Sequence, residues 1–310
     1  MSSHSDNPGD FASREYDYVV VGGGTAGLVV AARLSEDPHL KVAVIEAGPA
    51  AFDEPLINDP YRFGQSIGTK YDWQFETVPQ PGLADRKLPW PRGKVLGGTS
   101  ALNFMAWTRG HKEDYDAWVE MGNKGWGWDD LLFVMAGCSR PYFKKSETFY
   151  APTRAVQDEH LSFFEAAWHG IDGPMKTSHA LEYSPSLKYW HRTLENLGIE
   201  TSPDSLSGAN AEAVTNEILL EKEDGEWTAK GVRVKCGGEE FIVKASKEVI
   251  ISAGSVQSPQ LLELSGIGNP KILEVAGIQT KVCNPNVGEN LQDHLCKSVP
   301  YQAGQGVPDH

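Results

Sequence analysis

A glycine turn set between a strand and a helix constrains this chain more than any other feature. Tyr18-Val19-Val20-Val21 is a short apolar, β-branched run and reads as a buried strand. Gly22-Gly23-Gly24 breaks it. Thr25 to Ser35 carries apolar residues at Leu28, Ala31, Ala32 and Leu34 and reads as a helix. Lys41-Val42-Ala43-Val44-Ile45-Glu46 is a second buried strand. Strand, turn, helix and parallel strand make a βαβ unit, which is right-handed almost without exception. Within it, Gly22-x-Gly24-x-x-Gly27 gives each glycine a task. The first permits the tight turn, the second lets backbone approach a pyrophosphate, and the third lets helix and strand pack closely. The helix N-terminus then offers N–H groups and a positive dipole end to phosphates. Glu46 closes the second strand about 20 residues on, where a carboxylate can accept from ribose hydroxyls. FAD and NAD both satisfy this pattern, and a structural glycine turn with a solvated glutamate is the competing reading.

Composition bounds the rest. The 310 residues are 40% hydrophobic and 23% charged, enough for a core in one large or two modest domains. A net charge of −14 argues against nucleic acid as a partner and against docking on an anionic membrane. No run of about 18 apolar residues predicts a transmembrane helix. Met1 to Arg14 is polar, without the apolar core of a signal peptide, so residues 1–15 read as a disordered lead-in and the expected location is the cytoplasm. Cys138, Cys236, Cys283 and Cys296 are scattered with no CxxC pair, which suggests neither a metal site nor a disulfide framework.

Downstream, residues 49–91 are loop-rich, and Lys112 to Met121 reads as a short helix. From Pro141 to Ser202 there are helical patches, at His160 to Trp168 and Pro185 to Leu197, without strand alternation. Gly231-Val232-Arg233-Val234-Lys235 alternates, Gly237-Gly238 turns, and Phe241-Ile242-Val243 pairs back as a hairpin. Glu248 to Gly254 reads as a further buried strand. A helix is expected from Ser258 as N-cap, through Pro259 as its first residue, to a stop at Gly266. The expected layout is a nucleotide-binding domain over 16–140 that resumes over 211–310, with a mainly helical insertion over 141–210.

Two further glycine-bearing stretches stand out. Arg92-Gly93-Lys94-Val95-Leu96-Gly97-Gly98-Thr99-Ser100-Ala101-Leu102-Asn103 reads either as a second phosphate-contacting loop or as a tight crossing of chains. Gly254 to Gly268 is explained by a capped helix alone. Together, Gly93 to Asn103 with Trp107, Gly110 and Asp116, then Gly254 to Gly268, then Val287-Gly288-Glu289-Asn290-Leu291-Gln292-Asp293-His294, resemble the glucose–methanol–choline (GMC) oxidoreductase family. The resemblance covers Tyr16 to His294 and is nearest to fungal members that oxidise small alcohols or related acids.

The resemblance implies an α/β, Rossmann-like FAD-binding fold of the GMC type, holding FAD in an extended pose. It places Gly22, Gly24, Thr25, Ala26 and Gly27 along the pyrophosphate, and Glu46 and Ala47 at the adenosine ribose. Gly98 and Thr99 would lie between pyrophosphate and flavin, with Asn103, Phe104, Met105 and Ala106 beside the isoalloxazine ring. The implied reaction is oxidation of an alcohol-type CH–OH donor, with hydride passing to the flavin and a histidine near the C-terminus of full-length members as base. Members are nearly twice as long as this chain, and none of its nine histidines matches that base. No catalytic residue is therefore assigned; His294 belongs to the segment bordering the flavin. The stretch between Ser207 and Glu217 is also shorter than the family's, where a strand supports the adenine. The expected alternatives are a non-catalytic FAD-binding fragment or pseudoenzyme needing a complementing C-terminal chain, and a family lyase.

Overall fold

The computed structural model describes residues 7–107, 110–133, 142–160, 164–179, 196, 217–223 and 226–293. Two units emerge, Met1–Phe104 with Asn210–His310, and Met105–Ala209. The first break thus falls at Phe104, ahead of the position 140 expected from sequence.

The first unit starts with a short helix, α1 (Pro8–Ala12), where a disordered lead-in was expected over residues 1–15. Asn7 Oδ1 accepts from the Gly9 and Asp10 N–H groups, and Pro8 sits where a missing N–H costs nothing. The Phe11 ring lies 5.1 Å from that of Tyr16, which ties α1 to the next strand. Strand β1 (Tyr16–Val21) follows, with Val19, Val20 and Val21 fully buried. Helix α2 (Thr25–Leu34) leads to β2 (Val42–Ile45), which pairs parallel with β1 from Tyr18↔Val42 to Val21↔Ile45. The loop-rich tract holds a one-turn helix, α3 (Pro55–Asn58), and a minimal antiparallel pair, β3 (Phe75–Glu76) with β4 (Pro89–Trp90). Buried Tyr71, Val95 and Leu102 give it a small core of its own.

The second unit contains α4 (Lys112–Glu120), α5 (Trp128–Phe133), α6 (Tyr142–Ser146), β5 (Glu147–Tyr150), α7 (Arg154–His160) and β6 (Met175–Ser178). Lys112 joins α4 to α5 by reaching Asp116 at 3.3 Å and Asp129 at 3.2 Å. Strands β5 and β6 pair parallel, from Glu147↔Met175 to Tyr150↔Ser178, in a region where no strand was expected. Their anchor is polar, which explains the missing alternation. Fully buried Glu147 accepts from Gly170 N–H at 3.0 Å and from the Thr177 hydroxyl at 2.7 Å, and His169 Nδ1 lies 3.3 Å away. The His169 ring stacks on Phe149 with centroids 3.7 Å apart. The helix expected over Pro185 to Leu197 and the shortened stretch from Ser207 to Glu217 fall on residues that, apart from 196 and 217, lie outside the described set.

The chain returns to the first unit with β7 (Glu217–Glu223), β8 (Glu226–Cys236) and β9 (Glu239–Ile251). Gly237 and Gly238, both at positive φ, make the expected two-residue turn between β8 and β9. The two strands read separately at Phe241–Val243 and Glu248–Gly254 are one element. The first half of β9 runs antiparallel to β8, and the second runs parallel to β1 up to Val21↔Ile251. The resulting sheet has the order β2-β1-β9-β8-β7. Val19, Val21, Ala43, Ile45, Val232, Val243 and Leu261 make its core. Leu261 comes from α8 (Gly254–Leu264), which begins one turn before the expected N-cap Ser258 and carries Pro259 inside it. Gly266, at φ +88, ends the helix as expected. A last pair, β10 (Ile267–Gly268) with β11 (Val282–Cys283), encloses α9 (Pro270–Val275). This is the expected α/β, Rossmann-like architecture.

Candidate functional site

Val21 is in register with Ile45 on one side and Ile251 on the other, so three parallel strands end at one edge of the sheet. The segments that leave them are brought side by side there, at the carboxyl edge where open α/β sheets bind ligands. Gly22 N–H donates to Ile45 carbonyl at 2.9 Å, and Ser252 N–H to Val21 carbonyl at 2.8 Å. Gly22 has φ +102, and a Cβ on it would lie 2.4 Å from the Ser252 carbonyl oxygen. A Cβ on Gly27 would lie 1.9 Å from the Gly22 carbonyl oxygen. The first and third glycines are therefore fixed by close backbone approach. Gly24 is the buried N-cap of α2, and no side chain caps that helix. Thr25 and Ala26 are exposed. The first N–H groups of a helix have no intrahelical partner, so this end presents donors outward.

Glu46 directly follows β2 and is half-buried. Its Oε2 accepts from Gly23 N–H and its Oε1 from Gly48 N–H, both at 2.9 Å. Burial pushes the carboxyl pKa up to about 7, against the pull of the Gly48, Gly23 and Ala47 N–H groups. A cleft of about 370 Å³ opens beside it, with Val44, Ile45, Leu96, Val234 and Phe241 among its apolar walls. Ala47 is exposed.

The second glycine stretch is a tight crossing of chains. A Cβ on Gly93 would lie 2.2 Å from the Gly98 carbonyl oxygen, and one on Gly48 2.1 Å from that of Lys94. Gly98 and Thr99 are buried at the start of a 3-10 turn, and Thr99 Oγ1 accepts from Gly93 N–H at 3.1 Å. The crossing also sets this loop against the fingerprint turn. Gly97 N–H donates to Gly23 carbonyl at 2.8 Å, Leu96 N–H to Pro49 carbonyl at 3.0 Å, and the Thr25 and Ser100 hydroxyls meet at 2.5 Å. Asn103 N–H donates to Thr99 carbonyl at 2.9 Å. Phe104 is 65% exposed and meets Phe63 edge-on, ring centroids 5.6 Å apart. Met105 and Ala106, both exposed, open the second unit.

Gly22, Gly24, Thr25, Ala26, Gly27, Glu46, Ala47, Gly98 and Thr99 thus gather around one edge of the first unit. Sequence reasoning gave no site role to Gly23, Gly48, Gly97 or Ser100, which knit the three loops together. Gly48 had a readable signal, a glycine two residues after the carboxylate that closes β2. Gly23 did not, since the fingerprint leaves that position free. His294 lies outside the described residues. Among the described residues no cluster of His, Cys, Asp or Glu could hold a metal ion, and no helix is long and apolar enough to cross a membrane.

Comparison with known proteins identifies the family of the chain. The GMC oxidoreductase family model matches residues 16–216 and 206–296. Dehydrogenase mpl7 of Monascus purpureus is 38% identical over 340 residues, covering 96% of this chain and 53% of the relative. An oxygen-dependent choline dehydrogenase of Rhizobium etli is 35% identical, over 90% of this chain and 53% of its own length. Among solved structures, an FAD-dependent oxidoreductase from Chaetomium thermophilum superposes with a TM-score of 0.76 at 30% identity, over 90% of this chain and 52% of that one. The chain spans about half the length of the curated relatives it matches. The match to the Monascus protein is longer than the 310-residue chain, so that relative carries residues inside the matched region that are lacking here. On the family match and these identities, the chain belongs to the GMC oxidoreductase family.

Proposed function

We propose that this chain holds FAD, as the cofactor-binding half of an oxidoreductase acting on alcohol-type CH–OH donors. The observation that carries the reading is the three-loop edge. An uncapped helix N-terminus, a turn emptied of side chains at Gly22 and Gly27, and the Glu46 carboxylate converge there. These residues fit a dinucleotide. The α2 N–H groups and the Gly22–Gly27 backbone would take the pyrophosphate. Each Glu46 oxygen has one N–H bond in place, and a carboxylate oxygen accepts more than one, so lone pairs remain for ribose hydroxyls. The apolar cleft beside Glu46 suits the adenine, and Ala47 is assigned to the adenosine ribose by resemblance to the family. Gly97 and Ser100 brace the turn from the second loop, and Gly98 and Thr99 are assigned between pyrophosphate and flavin by resemblance to the family. Asn103, Phe104, Met105 and Ala106 are assigned to the isoalloxazine side by resemblance to the family.

When bound, FAD would supply the hydride acceptor. No described residue is assigned as the proton acceptor for the alcohol. His169 is buried against Glu147, and His111 stands exposed at the start of α4. Titration of the purified chain with FAD, followed by quenching of flavin fluorescence with NAD as comparison, tests the cofactor. Saturable FAD binding with no competition by equimolar NAD is expected; preference for NAD would sink the reading.

A further inference from the structure

We propose that Glu46 is a positioning residue for the phosphate-facing turn: its ionised carboxylate ties that turn to the loop after β2, and so links cofactor grip to proton concentration. The proposal rests on the adenosine-side reading of the cleft given above.

Two bonds of 2.9 Å carry it, from Gly23 N–H to one Glu46 oxygen and from Gly48 N–H to the other. Both donors sit at junctions. Gly23 is the middle of the fingerprint turn, and its carbonyl accepts from Gly97 N–H at 2.8 Å. Gly48 is pressed against the Lys94 backbone, where a Cβ would stand 2.1 Å from the carbonyl oxygen. One carboxylate therefore sets the turn, the loop after β2 and the second glycine loop in a single arrangement. An ionised carboxylate offers acceptors to both N–H groups. A protonated one presents an O–H where an N–H already points, and one of the two ties weakens.

The surroundings hold this group near its switching point. Burial disfavours the charge while the Gly48, Gly23 and Ala47 N–H groups favour it, and the balance lies at about 7. Around the cleft, α1 contributes Pro8 and Phe11, the second glycine loop Leu96, and β9 Phe241 and Val243, none of them ionisable. β8 contributes Val234 and Cys236, whose thiol is the one other titratable group among the described residues lining the cleft.

The test uses the cofactor-free chain with glycine-selective isotope labelling. The amide resonances of Gly23 and Gly48 are followed between about pH 6 and pH 8, with Glu46→Gln as the variant. A shared midpoint near 7 in the wild type, absent from the variant, is expected. FAD dissociation constants should be about tenfold weaker at pH 6 than at pH 8 in the wild type and independent of pH in Glu46→Gln. Independent titration of the two glycines, or an unchanged pH profile in the variant, would overturn the clamp. The two readings fail separately. A chain that binds FAD without the shared titration refutes the clamp alone, and a shared titration without FAD binding refutes the cofactor reading alone.

Discussion

Gly23 N–H and the Glu46 carboxylate, 23 positions apart in sequence, are joined by a hydrogen bond of 2.9 Å. That bond closes the βαβ unit at its functional end. Val21 and Ile45 are already paired across β1 and β2, so the bond extends the parallel pairing by one link into the loops. The fingerprint turn is held by protein groups on both sides, by Glu46 and by Gly97. Its N–H groups are thereby oriented without any ligand, which lowers the ordering cost of binding.

Gly27→Ala should cost fold stability as well as cofactor. A Cβ there would stand 1.9 Å from the Gly22 carbonyl oxygen, a backbone atom that cannot swing aside, so α2 would have to shift away from the turn. A loss of about 3 kcal/mol is expected in urea unfolding, with weakened FAD binding. Stability within about 0.5 kcal/mol of wild type would show that the close approach is not real.

Gly24→Val acts on the ligand's space. Gly24 has φ −82 and ψ −168, a backbone conformation open to any residue, so a branched side chain adds no left-handed strain. It does occupy the ground the pyrophosphate needs. FAD binding should be lost, as read by flavin fluorescence; undiminished occupancy would remove the fingerprint from the site.

The cofactor-free chain should lose stability as pH rises from about 5 to about 8 through Glu46. Its folded pKa, about 7, lies above the ordinary 4.5, because burial outweighs the backbone bonds. Between those values the folded state binds more protons than the unfolded one, so its advantage is full below the lower value and gone above the higher. The shift corresponds to roughly 3 kcal/mol. Glu46→Gln should flatten this part of the profile in denaturant unfolding; an identical slope in both proteins would contradict the assignment.

Glu147→Ala should destabilise the second unit. The fully buried carboxylate serves Gly170 N–H, the Thr177 hydroxyl and His169, and its removal strands buried donors. A cost of about 3 kcal/mol or more is expected. Burial raises the Glu147 pKa, but Gly170, Thr177 and His169 together bring it below the usual 4.5. Its stabilisation is thus present above 4.5 and lost as pH falls through the lowered value. Acid unfolding of this unit, followed by tryptophan fluorescence, should lose that component in the variant.

The βαβ unit was legible because each of its signals is local. An apolar β-branched run, a glycine break and an amphipathic helix leave one arrangement for Tyr16 to Glu46. β9 was not legible as one strand. It changes partners between Lys244 and Glu248, and its register against β1 shifts between Tyr16↔Ala245 and Tyr18↔Glu248. Exposed Ser246 and Lys247 at that bulge look like a turn in sequence. The start of α8 was misread because Ser258-Pro259 imitates a helix start while Gly254-Ser255 imitates a loop. β5 was hidden by its polar anchor, Glu147. At the site, the fingerprint glycines and Glu46 could be named from spacing and a tight crossing was one reading of the second stretch, but its partners, Gly93 against Gly98 and Gly48 against Lys94, needed three dimensions.

The central claim is that these residues hold FAD, and the flavin content of the chain purified in its folded form tests it most directly. The account predicts about one equivalent of FAD released on denaturation after incubation with excess cofactor and removal of the unbound fraction. A cooperatively folded chain that retains no flavin under the same treatment would contradict it.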